Sequence, residues 1–383
     1  MDRIRSISRG FHARRTEKPA GKPMSDDAAR VRVSSCGISY WRSGKLIWDD
    51  TVAHRQFALV DGTEAVLRWF HDWKPLESIS DIPGEPAQIA RYRRVAGVFL
   101  AHDILVAEGS QRHRFEAAAD VAWRPWGRLA PAFHFATRIL ADGEFNTDDD
   151  YRVLLEENLK QGPAPRAHHT FANVGARIVA LPDRAEATWQ ERDLVDVLYQ
   201  RRSDRKFAET PIPLASAGAL LQISAGIVAI DERTQTVFKT SPSGGGRHPT
   251  EVYVYARAVE GVEPGTYHYN PTAHTLEHIG GTRTDDDLGA IAGDQQWAGT
   301  AGMIVFFTSV LERSMWRYHA PRTYRLLHMD VGHVSQTVYL LATALGLGVT
   351  FTSAMRDELV EQLLGVEPND EVVMGCAVIG TKV

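Results

Sequence analysis

The sequence predicts an α+β fold in two parts, and three observations support this. The 383 residues suffice for two or three domains of about 150 residues each. Short strands and short helices alternate from Val31 to about Asp120, whereas longer helices and apolar strands alternate from about Glu191. A long helix over Leu326–Leu345, apolar on nearly all sides, predicts a buried centre around which the second part is built.

Composition and charge exclude several classes of protein. Lys and Arg number 43 against 48 Asp and Glu, and this net charge of −5 argues against a surface that binds nucleic acid. Cys36 and Cys376 are too few for a disulfide framework or a Cys-rich metal site. The longest apolar stretch, Val338–Phe351, is too short to span a membrane. We therefore expect a soluble, cytoplasmic protein with no metal, no nucleic-acid partner and no membrane partner.

Residues 1–30 are predicted to be a disordered basic tail. Basic residues dominate the first 23 positions, where the acidic residues are Asp2 and Glu17. No apolar core of a secretory signal follows. Met24 begins an acidic stretch that resembles the start of a protein, as if the start codon had been assigned too early. A nucleic-acid-binding arm or a targeting segment is the alternative interpretation.

Residues 31–140 are predicted to form a small domain. Its expected elements are strands Val31–Cys36 and Lys45–Trp48, helix Glu64–Trp73 behind the cap Thr63, helix Pro86–Leu100, and Ile104–Ala107 as the first strand of a hairpin. Two small helices followed by a hairpin are the outline of a winged-helix module, and such modules bind DNA, peptides or proteins. Three arginines of the second helix, Arg91, Arg93 and Arg94, are interpreted as a solvated face.

Residues 141–190 are predicted to be a linker, because they are rich in Asp, Gly and Pro around one helical stretch. The paired histidines His168 and His169 lack a third ligand nearby, so we interpret them as loop residues rather than metal ligands.

Residues 191–383 are predicted to form the larger α+β domain. The expected elements are helix Glu191–Arg201, strand Val252–Ala256, hairpin Tyr267–Tyr269 with Thr275–Ile279, strand Met303–Ser309, the long helix ending at Gly346, helix Met355–Leu364 and strand Val372–Ile379.

Three clusters in this domain are candidates for chemistry. Arg201–Phe207 holds four cations and a hydroxyl, which suit a phosphate or carboxylate, or else a solvated helix end. Ser241–Pro249 holds three successive glycines, whose backbone N–H groups are able to approach an anion or a ring, although a plain flexible loop is the alternative. Trp316–His319 precedes the long helix. Aromatic side chains at such a position usually pack in the core, so only the other two clusters give this one a possible role in chemistry.

In this order, the clusters resemble the nitroreductase-like flavin enzymes. The closer similarity is to their SagB-type subgroup, the azoline dehydrogenases of ribosomal-peptide maturation. The residues that carry it are Pro242-Ser243-x-Gly245-x-Arg247-His248-Pro249-x-Glu251, Gly265-x-Tyr267-x-Tyr269-x-Pro271, and Ala132-Phe133-His134 with Thr137-Arg138. The resemblance implies an antiparallel or mixed sheet around the long helix, bound FMN, a homodimer, and an N-terminal clamp for the leader of a ribosomally made precursor peptide. It also implies a cyclase as a second partner.

The resemblance also implies roles for individual residues. The FMN phosphate and the polar edge of its ring would be held by Arg201, Arg202, Ser203 and Arg205. The ring and ribityl chain would contact Pro242, Ser243 and Gly245. Further contacts would come from Gln295, Thr352, Ser353 and Lys382, the last being equally interpretable as a surface lysine.

The sequence departs from the subgroup at the catalytic pair. Azoline dehydrogenases typically have Lys-Tyr where this chain has Arg317-Tyr318. An arginine stays protonated and is a poor base, so Tyr318 would take or give the proton. The leading hypothesis is an FMN-dependent peptide dehydrogenase. The first alternative is an NAD(P)H-driven reductase of dehydroamino acids, nitro compounds or quinones. The second alternative is a non-catalytic winged-helix regulator.

Overall fold

A computed structural model describes residues 30–60, 62–141, 147–171 and 177–383. The chain divides into two compact units between Glu144 and Phe145. The predicted basic tail lies outside the described residues except for its last residue, Arg30, which begins a strand.

The described residues of the first unit form two small antiparallel sheets and four α-helices. Its elements are β1 Arg30–Val33, β2 Gly37–Arg42, β3 Lys45–Asp50, β4 Arg55–Leu59, α1 Glu64–Trp69, β5 Lys74–Pro75, α2 Pro86–Ala101, β6 Leu105–Ala107, α3 Gln111–Ala122 and α4 Leu129–Ala136. The sheet orders are β2-β3-β4 and β5-β1-β6. Trp48, Val66, Phe70, Tyr92 and Phe99 are core side chains between them.

Two details of this unit differ from the prediction. No hairpin follows α2: strand β6 pairs with β1, and the chain continues into α3 because the Ser110 side chain accepts a hydrogen bond from the backbone N–H of His113 and begins that helix. Thr63 does not cap α1, since its hydroxyl donates instead to the Val60 carbonyl at 2.7 Å.

The second unit is built on a seven-stranded antiparallel sheet. Its elements are α5 Asp148–Gln161, β7 Ile178–Ala180, α6 Leu194–Gln200, α7 Leu214–Ala225, β8 Ala229–Asp231, β9 Thr236–Phe238, β10 Thr250–Ala256, β11 Gly265–Asn270, β12 Thr275–Gly280, α8 Asp285–Ile291, β13 Met303–Val310, α9 Leu311–Met315, α10 Tyr324–Ala344, β14 Leu347–Thr352, α11 Asp357–Leu364 and β15 Glu371–Thr381. The strand order is β14-β15-β13-β10-β11-β12-β7, and every pairing is antiparallel. The predicted α+β class is confirmed.

Alternation along the strands divides the core into two layers. Val252 and Val254 of β10 join the cluster that holds helices α7 and α10, whereas Tyr253 and Tyr255 join the cluster that holds α8 and α11. Successive side chains of a strand point to opposite faces, so helices cover both faces of the sheet.

The stretch predicted as a linker contributes to the second unit. Helix α5 begins at a capping box between Thr147 and Asp150, so an acidic run that suggested a loop is a helix start. Strand β7 pairs with β12 at the edge of the large sheet. The backbone N–H groups of His169 and Phe171 donate to the buried carboxylates of Glu251 and Glu277, at 2.8 and 2.7 Å.

Helices α10 and α6 are less buried in this chain than their apolar composition predicts. One face of α10 is buried, but Met329, Gly332 and His333 lie on an exposed face. Helix α6 begins later than predicted, after its cap Asp193, and leaves Leu194 and Leu198 exposed. No helix in the described ranges is both long and apolar enough to cross a lipid bilayer.

Candidate functional site

The Gly-rich loop between β9 and β10 lies directly against the predicted catalytic pair. Gly245 has a φ of 64°, and a Cβ built there would lie 2.4 Å from Tyr318 Oη and 2.9 Å from Arg317 Nε. Only a glycine permits this approach, because any side chain would collide with both residues. Two of the motifs that the sequence analysis singled out are therefore in contact.

Helix α10 fixes the other side of the same loop. Ser243 Oγ donates to the carboxylate of Asp330 and accepts from the backbone N–H of His248 at 2.9 Å. The Nδ1 atom of His333 lies 3.1 Å from the carbonyl oxygen of Pro242. Burial raises the pKa of Asp330 above its ordinary value, although the hydrogen bond from Ser243 opposes the shift.

Arg317 and Tyr318 follow the short helix α9, whose last turn determines their position. Both backbone N–H groups donate to the carbonyl of Ser314, at 3.2 and 2.9 Å. The Arg317 guanidinium lies 5.7 Å from the centre of the Tyr318 ring. Its Nε atom is buried and has no hydrogen-bond partner among the described residues.

Arg247 contributes a second buried guanidinium, and no carboxylate among the described residues lies within ion-pair distance of it. It stacks on Trp316 at 4.8 Å and donates to the carbonyls of Thr234 and Arg313 at 2.6 and 3.1 Å. Its Nη2 atom is buried and has no partner in the described part of the chain. Burial, with the charges of Arg317 and Arg313, lowers the pKa of Arg247 to about 10. Positive charge is therefore concentrated around Arg247 and Arg317.

The predicted phosphate-binding residues form a separate cluster where α6 ends. Arg201 stacks on the ring of Tyr339 at 5.1 Å, and Ser203 Oγ shares a 2.9 Å hydrogen bond with Tyr339 Oη. Arg202 donates to the carbonyls at the end of α6, and Arg205 lies 5.8 Å from the centre of the Trp297 ring. Within the described ranges, no carboxylate lies within ion-pair distance of these three arginines.

The remaining predicted contacts surround the ends of β14 and β15. Gln295 Nε2 donates to Thr352 Oγ1 at 3.3 Å, and Ser353 beside it is exposed. Lys382 Nζ lies 3.4 Å from a carboxylate oxygen of Asp204 and so already has an anionic partner. Asp204 connects this group to the arginine cluster, because its backbone N–H donates to the Val349 carbonyl at 2.9 Å.

Helix α10 links the two clusters, and two of its residues were missed by sequence reasoning. Asp330 holds the Gly-rich loop, and Tyr339 holds Ser203 and accepts from the backbone N–H of Phe351 at 2.8 Å. At 1.5 Å per residue, these two positions are about 14 Å apart along the helix. A lone carboxylate in an otherwise apolar helix was the available signal for Asp330.

The donor set fits FMN. A phosphate would meet the arginines at the end of α6, which have no carboxylate within ion-pair distance among the described residues, and the electron-poor flavin ring would lie against the closely packed glycines near Tyr318. Among the described residues, no group of three or more His, Cys, Asp or Glu side chains could hold a metal ion.

A buried polar network supports the strand that follows the loop. Glu251 pairs with Arg313 and with His268, whose two ring nitrogens lie 2.7 and 3.4 Å from carboxylate oxygens of Glu251 and Glu277. Burial opposes the charged form of Glu251, but Arg313 and His268 hold its pKa well below the usual range. A cleft of about 400 Å³ beside the network contains none of the predicted site residues.

Comparison with known proteins identifies the second unit. The nitroreductase family profile matches residues 198–381. MJ1384 of Methanocaldococcus jannaschii, classed as a nitroreductase, is 36% identical over 178 residues, which are 46% of this chain and 87% of that protein. The trifolitoxin-processing protein TfxB of Rhizobium leguminosarum bv. trifolii is 34% identical over 146 residues, 37% of this chain. The match spans only 39% of TfxB.

A solved structure gives the same result for the fold. The crystal structure of an Anabaena variabilis protein assigned as a nitroreductase superposes with a TM-score of 0.51 at 24% identity, and the match covers 67% of this chain and 48% of that one. At this identity the likeness concerns the fold alone. Together with the family profile and the extensive match to MJ1384, it leads to one conclusion: the chain belongs to the nitroreductase family.

Proposed function

We propose that this protein is an FMN-dependent oxidoreductase of ribosomal-peptide maturation that dehydrogenates azolines or a related peptide residue. The observation that carries the proposal is the contact of Tyr318 Oη and Arg317 with Gly245, because a hydroxyl able to transfer a proton next to a glycine-rich loop supports a flavin enzyme. Similarity to a trifolitoxin-processing protein supports a peptide substrate.

Each end of the proposed flavin site has its own residues. The phosphate end comprises Arg201, Arg202, Ser203, Arg205 and Lys382, and further contacts come from Gln295, Thr352 and Ser353. The ring end comprises Pro242, Ser243 and Gly245. Bound FMN supplies a two-electron acceptor that receives hydride at N5.

Tyr318 is the proton-transfer residue of the proposed site. Its hydroxyl borders the loop, whereas the Arg317 guanidinium stays protonated and therefore contributes charge rather than basicity. A Tyr318→Phe variant should bind FMN as the parent does and lose most of its turnover; unchanged turnover would contradict the assignment.

The proposal extends to three partners. The exposed apolar residues Leu194, Val195, Leu198 and Tyr199 of α6 favour a homodimer. The first unit would bind the leader of the precursor peptide, and its edge strand β2, with Ile38 and Trp41 exposed, suits pairing with an extended peptide. A cyclase would supply the azoline.

The first test is the flavin itself. The purified chain should be yellow and contain about one FMN per protomer, and its colour should persist with NADPH when no peptide is present. A colourless chain without affinity for FMN would contradict the proposal. Rapid bleaching by NADPH alone would favour the alternative, a reductase, which the similarity to MJ1384 supports.

A further inference from the structure

The Arg317 guanidinium is held between two aromatic rings. Its carbon lies 6.0 Å from the centre of the Tyr151 ring and 5.7 Å from that of Tyr318, and the two rings meet edge to face at 6.3 Å. Gly245 closes a third side, against Arg317 Nε and Cδ. These contacts fix the orientation of the side chain and use none of its N–H groups.

No anion in the described ranges neutralises this arginine. No carboxylate there lies within ion-pair distance of Arg317, and its Nε atom is buried without a partner. The neighbouring Arg247, about 1% exposed, bonds only to neutral carbonyls and leaves Nη2 unpaired. Buried donors normally have partners, so two such donors in one place indicate that a ligand supplies the acceptor.

The second aromatic ring comes from outside the region that matches the family profile. That region is 198–381, whereas Tyr151 lies on α5. Helix α5 is anchored to the catalytic segment because Asn158, itself buried, donates to the Trp316 carbonyl at 2.6 Å. Glu156 pairs with Arg233 at 2.7 Å and holds α5 to the β8–β9 hairpin. An element added to the family domain thus completes this site.

We infer that Arg317 binds the oxygen of the carbonyl group that is attached to the reacting carbon of the substrate. We infer further that Tyr151 is the residue that positions Arg317. The inference rests on the proposed function and extends it. The ligand class is a neutral or anionic carbonyl compound, such as an azoline or azole bearing a 4-carboxamide. The arginine in place of the subgroup's lysine is then a donor for an oxygen rather than a base.

The chemistry of the step balances. In the proposed step the C–H bond beside the carbonyl breaks, its proton passes to Tyr318 Oη acting as the base, and its electron pair forms an enolate whose oxygen faces Arg317. With FMN bound, the site would supply a two-electron acceptor for a hydride from the adjacent ring carbon, and the enolate electrons would complete the new double bond. The same enolate forms if the reaction runs in reverse.

Binding of two small probes tests the inference without turnover. 2-Methylthiazole-4-carboxamide carries the carbonyl, and 2,4-dimethylthiazole lacks it. The FMN-loaded parent should bind the carboxamide at least about tenfold more tightly, the size of one charge-assisted hydrogen bond, and Arg317→Gln should abolish this preference. Equal affinity of the parent for both probes, or no affinity for either, would overturn the inference.

Variants of α5 test the role of Tyr151. Tyr151→Leu should reduce the carboxamide preference at least about threefold, whereas Tyr151→Phe keeps the ring and should keep the preference. Arg152→Gln, a neighbouring solvent-exposed change, is the matched control for the stability of the helix. A preference unchanged in Tyr151→Leu would contradict the positioning role.

The inference and the proposed function fail in different ways. If the parent converts the peptide but the carboxamide preference is absent, only the inference is wrong. If the preference depends on Arg317 but no peptide is oxidised, the oxygen site stands and the proposed substrate is wrong.

Discussion

Gly245 and Asp330 are the two residues that most directly position the candidate site. Gly245 allows the loop to approach Tyr318, and Asp330 fixes the loop to α10 through Ser243. Three successive glycines made a special loop predictable from sequence. Its neighbours were not predictable, because Tyr318 and Asp330 are distant in sequence and only the sheet and α10 bring them together.

Gly245→Ala should impair both stability and flavin binding. A positive φ alone costs about 1–2 kcal/mol for a residue with a Cβ, and here the new methyl group also displaces Tyr318 and Arg317. Gly261→Ala is the matched control, because Gly261 has a φ of 71° with nothing within 4 Å of the added atom. Urea unfolding and FMN titration should show a larger loss at Gly245; equal losses would contradict the close contact.

Asp330→Asn should stabilise the protein at high pH and not at low pH. Burial raises the folded-state pKa of Asp330. Above that pKa the buried carboxylate is charged and destabilises the native state, whereas below it the carboxyl group is neutral and this destabilisation is absent. The melting temperature of the variant should exceed that of the parent at about pH 8, and the difference should shrink toward about pH 4. A difference that grows on acidification would contradict the stated effect of burial.

At the scale of elements, the stretch predicted as a linker (residues 141–190) is held at its residues 166–171 by buried charged side chains. Glu251 and Glu277 accept from the backbone N–H groups of His169 and Phe171, and Arg313 donates to the Arg166 carbonyl at 2.8 Å. Its Gly, Pro and Asp content predicted a linker, because local composition carries no record of the distant side chains that bind it. The strands were predictable because alternation along them determines which side chains are buried, whereas α10 was predictable as a long helix but not in its exposed face.

Glu251→Gln should destabilise the second unit strongly. The change leaves Arg313 buried without its anion, which should lower the free energy of unfolding by about 3–5 kcal/mol. The folded-state pKa of Glu251 lies below the ordinary value of a glutamate. The stability that ionised Glu251 contributes is therefore present at neutral pH and is lost as the pH falls through that low pKa. Urea unfolding at neutral pH measures the loss.

Asp149→Asn provides the contrast for that measurement. It removes one partner of the exposed Arg152–Asp149 pair and should leave the unfolding midpoint unchanged. Equal effects of the two variants would show that burial does not set the strength of these pairs.

At the scale of the whole molecule, the chain consists of two units with separate cores. One core lies within residues 31–107, and two layered cores lie on the faces of the large sheet. The class of fold was predictable from the change in pattern along the sequence. The pairing of β6 with β1 was not, because strand partners of distant sequence are not specified by local periodicity.

Thermal unfolding should therefore show two transitions. Because the proposed FMN site lies wholly in the second unit, added FMN should raise the transition of that unit and leave the other unchanged. Differential scanning calorimetry with and without FMN measures both. A single transition that shifts as a whole would contradict independent cores.

The central claim is that the chain oxidises a peptide residue, and mass spectrometry of the precursor peptide tests it most directly. A candidate precursor peptide, first treated with an azoline-forming cyclase and then with the FMN-loaded protein, should lose two hydrogens per modified site, and Tyr318→Phe should abolish most of that loss. A gain of two hydrogens, or an unchanged mass with the parent protein, would contradict the account.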